Sequence, residues 1–171
     1  MALYLQAIGM LMQPPLGKTD VRVGDHCRAA QIMNNLADVI SRAPPPATIH
    51  QAALWAQQAR DLVVKTRGLP GAAADAEGMA VCEQTLAAVL FNLGALLEVR
   101  SCQKNGLVQA ALTHRCTSQM DKKYEDAKKS FEESLEQAKK IGMRSGVMEA
   151  RSALRRLERS RSSGGGQTAS T

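Results

Sequence analysis

The chain has 171 residues, 44% of them apolar and only 3% aromatic, with a formal net charge of +6. That length supports one domain with a modest core built from Leu, Ala, Val, Ile and Met, a composition that favours helices over strands. With one Trp, two Tyr and two Phe, the chain cannot supply the rows of exposed rings on which single-stranded nucleic acid stacks. The charge is uneven: residues 1–98 carry 7 Lys/Arg against 8 Asp/Glu, and residues 99–171 carry 15 against 8. Such asymmetry suits a solvated, charge-rich helical half or a surface for an acidic partner.

Residues 2–12 read as a helix stopped by Pro14-Pro15. Asp25 is the expected N-cap of a helix running to about Arg42, with Ile32, Met33, Leu36, Ala37, Val39 and Ile40 at helical period. Pro44-Pro45-Pro46 ends it, and Thr48 is placed to cap a helix over 49–66. After a break at Gly68–Gly71, residues 76–98 form a long apolar helix. Residues 121–140 form a charged amphipathic one that Gly142 stops, and a last helix covers 143–159. The low-complexity segment 161–171 is expected to be disordered. No strand pattern appears, so the expected fold class is all-α.

The four cysteines, Cys27, Cys82, Cys102 and Cys116, show no CxxC spacing, and His26, His50 and His114 form no ligand pattern with them. No metal site or cofactor is expected. Cys27 and Cys82 lie in apolar helical stretches and read as small buried hydrophobes with reduced thiols. No span reads as a bilayer crossing, and the apolar start lacks a basic leader, with its first cation at Lys18. A phosphate-binding glycine loop, a zinc-protease helix motif and a nucleophile elbow are all missing, so no catalytic residue is assigned.

A fixed-period signal lies beneath the helices. Leu90, Leu93, Gly94 and Leu97 have the spacing of positions 4, 7, 8 and 11 of a 34-residue helical-hairpin repeat. Tyr124, Ala127, Phe131, Ser134 and Leu135 have that of positions 17, 20, 24, 27 and 28. Gly94 and Ala127 are 33 residues apart where the repeat needs 12, so 21 are surplus. Deleting 99–119 joins the halves as LFNLGALLEMDKKYEDAKKSFEESL, in register. Met33, Leu36, Ala37 and Ile40 match the first helix of an earlier unit, and Ala52, Ala56 and Ala59 its second. Tyr4, Ala7 and Ile8 match the end of a still earlier one, so the chain reads as starting halfway through a hairpin.

These residues resemble the tetratricopeptide repeat. The resemblance implies an α-solenoid of antiparallel hairpins: a half-hairpin at 1–13, hairpins at 25–66 and 76–140, and a capping helix at 143–159. The stretches AAQIMNNLADVI, CEQTLAAVLFNLGALLE and SFEESLEQAKKIGMRSGVMEARSALRRLER also resemble fungal mitochondrial tetratricopeptide proteins like the adaptor subunit of the inner-membrane AAA protease. Such proteins carry a presequence and a transmembrane helix ahead of their repeats, and neither is read here. The insert 99–119 is expected to be either a functional loop or a translated intron, whose 63 nucleotides keep the frame. Sequencing spliced transcripts across it decides between them.

The resemblance further implies a peptide groove lined by the first helix of each hairpin, here Asn34, Asn35 and Asp38 from one unit and Phe91, Asn92 and Glu98 from the next. Asn35 and Asn92 share the position whose amide contacts a ligand backbone in peptide-binding relatives. The cations of a carboxylate clamp are missing from the neighbouring positions. The expected role is therefore a non-catalytic adaptor for a protein or peptide ligand, with a membrane AAA protease complex as partner and mitochondria as its location. Nucleic acid is not an expected partner. The alternatives are a self-associating homodimer built through the apolar face of 2–12, or a basic module that docks an acidic partner through Arg144, Arg151, Arg155, Arg156 and Arg159.

Overall fold

The computed structural model describes residues 2–13, 22–42, 48–108 and 115–164. Six α-helices follow in order: α1 Ala2–Leu11, α2 Val23–Ser41, α3 Thr48–Arg67, α4 Ala76–Val108, α5 Arg115–Lys140 and α6 Arg144–Gly164. Among the described residues there is no strand, so the fold class is all-α.

Helix boundaries follow local chemistry. α2 begins at Val23, two residues ahead of the expected cap, and Asp25 sits inside its first turn. There its carboxylate favours the positive end of the helix dipole without capping it. α3 is followed by a tight turn in which the Ala72 N–H donates to the Leu69 carbonyl at 3.1 Å. Pro70 fits the second position of that turn and Gly71, at φ 82°, the third. Asp75, passed over in the sequence, caps α4: its Oδ1 accepts the Gly78 N–H at 2.8 Å. α5 ends in a Schellman pair, with Met143 N–H donating to the Ala138 carbonyl at 2.9 Å and Gly142 N–H to that of Lys139 at 3.1 Å. Gly142, at φ 69°, supplies the left-handed residue this cap needs.

Packed residues give the helix directions. Val23, Cys27 and Ala30 at the start of α2 share a cluster with Ala59 and Val63 at the end of α3. Leu36, Ala37 and Ile40 at the end of α2 share another with Ala52, Ala53 and Ala56 near the start of α3. α2 and α3 are therefore antiparallel. α4 lies alongside both, with Cys82, Leu86 and Leu90 in the first cluster and Leu93 and Leu96 in the second. It thus runs parallel to α2. α5 returns along α4, since the Ser134 hydroxyl donates to the Ala87 carbonyl at 2.9 Å while Phe131 meets Gly94. α6 turns back on α5, burying Ala153 and Leu157 against Ala127 and Phe131.

α4 is the hub. Glu83, near its start, receives Arg67 of α3 at 3.1 Å and Lys140 of α5 at 3.5 Å, and it accepts a hydrogen bond from Gln137. By length and composition alone its stretch Ala76–Val99 is long and apolar enough to cross a membrane, although the sequence shows no clear span. Half of that stretch is buried by the neighbouring helices, so its hydrophobicity belongs to the core.

Three further expectations change. Cys27 and Cys82 are joined by a disulfide, with Cα atoms 5.2 Å apart, rather than standing as two thiols. The segment 99–119 is not one loop: α4 continues through 99–108 and α5 takes up 115–119, while 109–114 lie outside the described residues. Residues 99–108 and 115–119 thus belong to the two helices themselves. Finally, 161–164 extend α6 rather than joining a disordered tail, and 165–171 lie outside the described residues.

Candidate functional site

The parallel pair α2 and α4 brings two amides face to face. Asn92 Nδ2 donates to Asn34 Oδ1 at 3.2 Å, linking residues 58 positions apart. Asn34 is buried, so its amide needs a partner in the protein, and Asn92 is that partner. Asn92 also stands on the wall of two pockets. One, of about 150 Å³, lies between α2 and α4 and is lined by Asp38, Ser41, Ile49, Ala95 and Leu96 besides Asn92. The other, of about 220 Å³, lies between α4 and α6 and includes Ala88, Phe91, Ser134, Met143 and Glu149. Both are mainly apolar, each has one carboxylate on its wall, and neither wall includes a cation.

The structure treats the six groove residues differently. Asp38 reaches the first pocket while pairing with the exposed Arg42 at 2.6 Å. Phe91 borders the second, its ring tilted against that of Phe131 with centroids 5.7 Å apart. Asn35 is exposed and borders neither pocket, so the amide that touches both is that of Asn92. Glu98 is buried and held bidentately by Arg156 of α6, at 2.9 and 2.7 Å. The site expected to offer Glu98 to a ligand offers instead a closed ion pair that ties α4 to α6.

The repeat-signature residues are mostly interior. Leu36, Ala37, Ala52, Ala59, Leu93, Gly94, Ala127 and Phe131 are all buried. Tyr124 is half-buried, with the Arg161 guanidinium 4.8 Å above its ring. Some pocket residues lie outside the first helices of the two hairpins, where no groove residue is expected: Ile49 and Ser134 on α3 and α5, and Met143 and Glu149 at the start of the last hairpin arm. Treating α6 as the first helix of a further unit, rather than only as a cap, points to that second group.

Among the described residues no group of three or more His, Cys, Asp or Glu side chains is arranged to hold a metal ion. His26 stands apart from both pockets, beside Thr66 on α3. Comparison with family models, with curated proteins and with solved structures finds no match to this chain.

Proposed function

We propose that the chain is a non-catalytic protein-interaction module of the tetratricopeptide type, and that the face around Asn92 receives a peptide segment of a partner. The antiparallel α2/α3 and α4/α5 pairs, the parallel run of α2 and α4, and Gly94 beneath Phe131 support the repeat reading. The observation that carries the binding reading is that Asn92 sits between two apolar pockets. After its bond to Asn34, its amide retains one N–H and its oxygen, the donor and acceptor that an extended backbone requires. The pockets then take apolar side chains on either side. With carboxylates and no cation on their walls, they favour an internal or basic segment over a free C-terminal carboxylate.

Selection of peptides from a random library on the whole chain tests this. The expected ligands carry apolar residues, bind equally with an amidated C-terminus, and lose about tenfold in affinity to N92A, the effect of one or two backbone hydrogen bonds. Equal binding to N92A, or a need for the free carboxylate, overturns it.

The resemblance to the adaptor subunit of the inner-membrane AAA protease supports a finer reading, in which the segment belongs to a substrate or partner of that protease. Recovery of the protease from mitochondrial membranes in mild detergent is expected, and its absence discards the finer reading alone. One observation favours self-association as the alternative: Leu3 and Met10, seven residues apart on α1, are 80% and 68% exposed. Sedimentation showing a monomer at tens of micromolar removes it.

A further inference from the structure

α6 presents a second surface, on the side of the helix turned away from the pocket it shares with α4. It buries Ala150, Ala153 and Leu157. The opposite side of the helix, at the spacing i, i+4, i+7 and i+11, carries Arg144, Met148, Arg151 and Arg155, all exposed. At 1.5 Å per residue this row spans about 16 Å. Met148 is 74% exposed and lies about one turn from an arginine on either side.

Two facts separate this row from an ordinary solvated face. The first is its pairing. Arg156 holds the buried Glu98, Arg161 reaches the exposed Glu125 and Arg159 donates to the Arg155 carbonyl, so each arginine off the row has a partner within the chain. Among the described residues no carboxylate lies within ion-pairing reach of Arg144, Arg151 or Arg155. The second is the choice of cation. α6 has six arginines and no lysine, whereas every cation of α5 from Lys122 onward is a lysine. Solubility is served by either residue. The planar guanidinium is the one that grips carboxylates in pairs and tolerates desolvation at an interface. Arginine and methionine are also the residues that interfaces enrich.

We propose that the row Arg144–Met148–Arg151–Arg155 docks an acidic protein segment in which an apolar side chain is flanked by carboxylates. The apolar side chain covers Met148 while the carboxylates pair with the arginines one turn away on each side. A duplex offers Met148 only isolated thymine methyls, and the row has no aromatic residue to stack on a base. A bilayer needs a wider apolar face than one methionine provides. This proposal does not rest on the peptide site around Asn92.

Fluorescence anisotropy on the whole chain tests it. The probe is a fluorescein-labelled, helix-forming 18-residue peptide rich in Glu, with Leu on one stripe. Its comparators are the same peptide with Ser for Leu, a random 20-base-pair duplex, and vesicles of phosphatidylserine and phosphatidylcholine. The Leu peptide is expected to bind best and to weaken with added salt. R144E/R151E/R155E should weaken it by at least about tenfold and M148S by about fivefold, while N92A leaves it unchanged. The exposed positions keep the melting temperature of both variants near that of the wild type. The proposal is overturned if the triple variant binds as tightly, if the Ser peptide binds as well as the Leu peptide, if the duplex or the vesicles bind more tightly, or if the Leu peptide shows no binding at about 100 μM.

Discussion

Gly94 on α4 lies directly beneath the ring of Phe131 on α5: a Cβ built on Gly94 would stand 2.8 Å from both Cδ1 and Cε1. Phe131 is fully buried, so its ring cannot swing into solvent to make room. G94A gains helix propensity of about 1 kcal/mol but overpacks a filled contact at a cost of about 1–3 kcal/mol. The expected outcome is a net loss of up to about 2 kcal/mol in urea denaturation. Phe131→Leu alone loses ring contacts, yet it should reduce the penalty of G94A, because it removes the atoms the new methyl would strike. A double-mutant cycle is expected to show favourable coupling of about 1 kcal/mol. Strict additivity would mean that the two residues do not touch.

The sequence marks Gly94 and Phe131 as signature positions of one repeat, but the contact between them is read from the structure. Period 3.6 marks α2, α3 and α6, and small residues at fixed spacing mark where helices approach, because both are local constraints on one chain segment. The Cys27–Cys82 bridge was not legible. It depends on the register of α2 against α4, which no spacing within either helix encodes. Glu98 was misread for a related reason. Helical phase says which face a side chain is on, but not that Arg156, 58 residues later, occupies the same face from α6. The insert 99–119 has no apolar stripe to announce a helix. Its helical backbone over 99–108 continues α4, and adding to an existing helix needs no new nucleus.

The disulfide has a thermodynamic consequence set by the chain it encloses. Cys27 and Cys82 are 55 residues apart, and closing a loop of that length reduces unfolded-state entropy by an amount worth about 4 kcal/mol at most. The paired variant C27A/C82A keeps the site apolar while removing the link. It is expected to lower unfolding free energy by about 2–4 kcal/mol and to make stability indifferent to reductant. Peptide mapping of the unreduced, denatured wild type should recover the Cys27 and Cys82 peptides joined. Recovery of both as free thiols would show that the bridge does not form.

The ion pair between Glu98 and Arg156 differs in weight from those on the surface. The Glu98 side chain is only 10% exposed and meets the guanidinium on two atoms. R156A withdraws that fork from a carboxylate still largely shielded from water, a loss of about 1–3 kcal/mol. R156K restores the charge but not the geometry, and should recover only part of it. R42A removes the partner of Asp38, a pair 75% and 46% exposed, and is expected to change stability by less than about 0.5 kcal/mol. Urea denaturation at pH 7 ranks the three. Equal effects of R156A and R42A would contradict the bridging role assigned to Glu98.

Acidification should act through His26. Burial holds its pKa below the ordinary value of 6.5, Lys65 lowers it further, and Asp25 opposes both. The Thr66 hydroxyl lies 2.8 Å from the Leu62 carbonyl and 3.3 Å from His26 Nδ1, so the neutral ring fits as the Nδ1–H tautomer donating to Thr66. Above pH 6.5 the ring is neutral in both folded and unfolded chains. As pH falls through 6.5 the unfolded chain takes up a proton that the fold resists, so stability declines, and the decline levels off once the folded pKa is passed. Asn at position 26 keeps an N–H near Nδ1 but does not titrate. H26N is therefore expected to show a flatter dependence of unfolding free energy between about pH 7 and 5 than the wild type, whatever its stability at pH 7. Parallel curves for the two proteins would assign the acid sensitivity to another group.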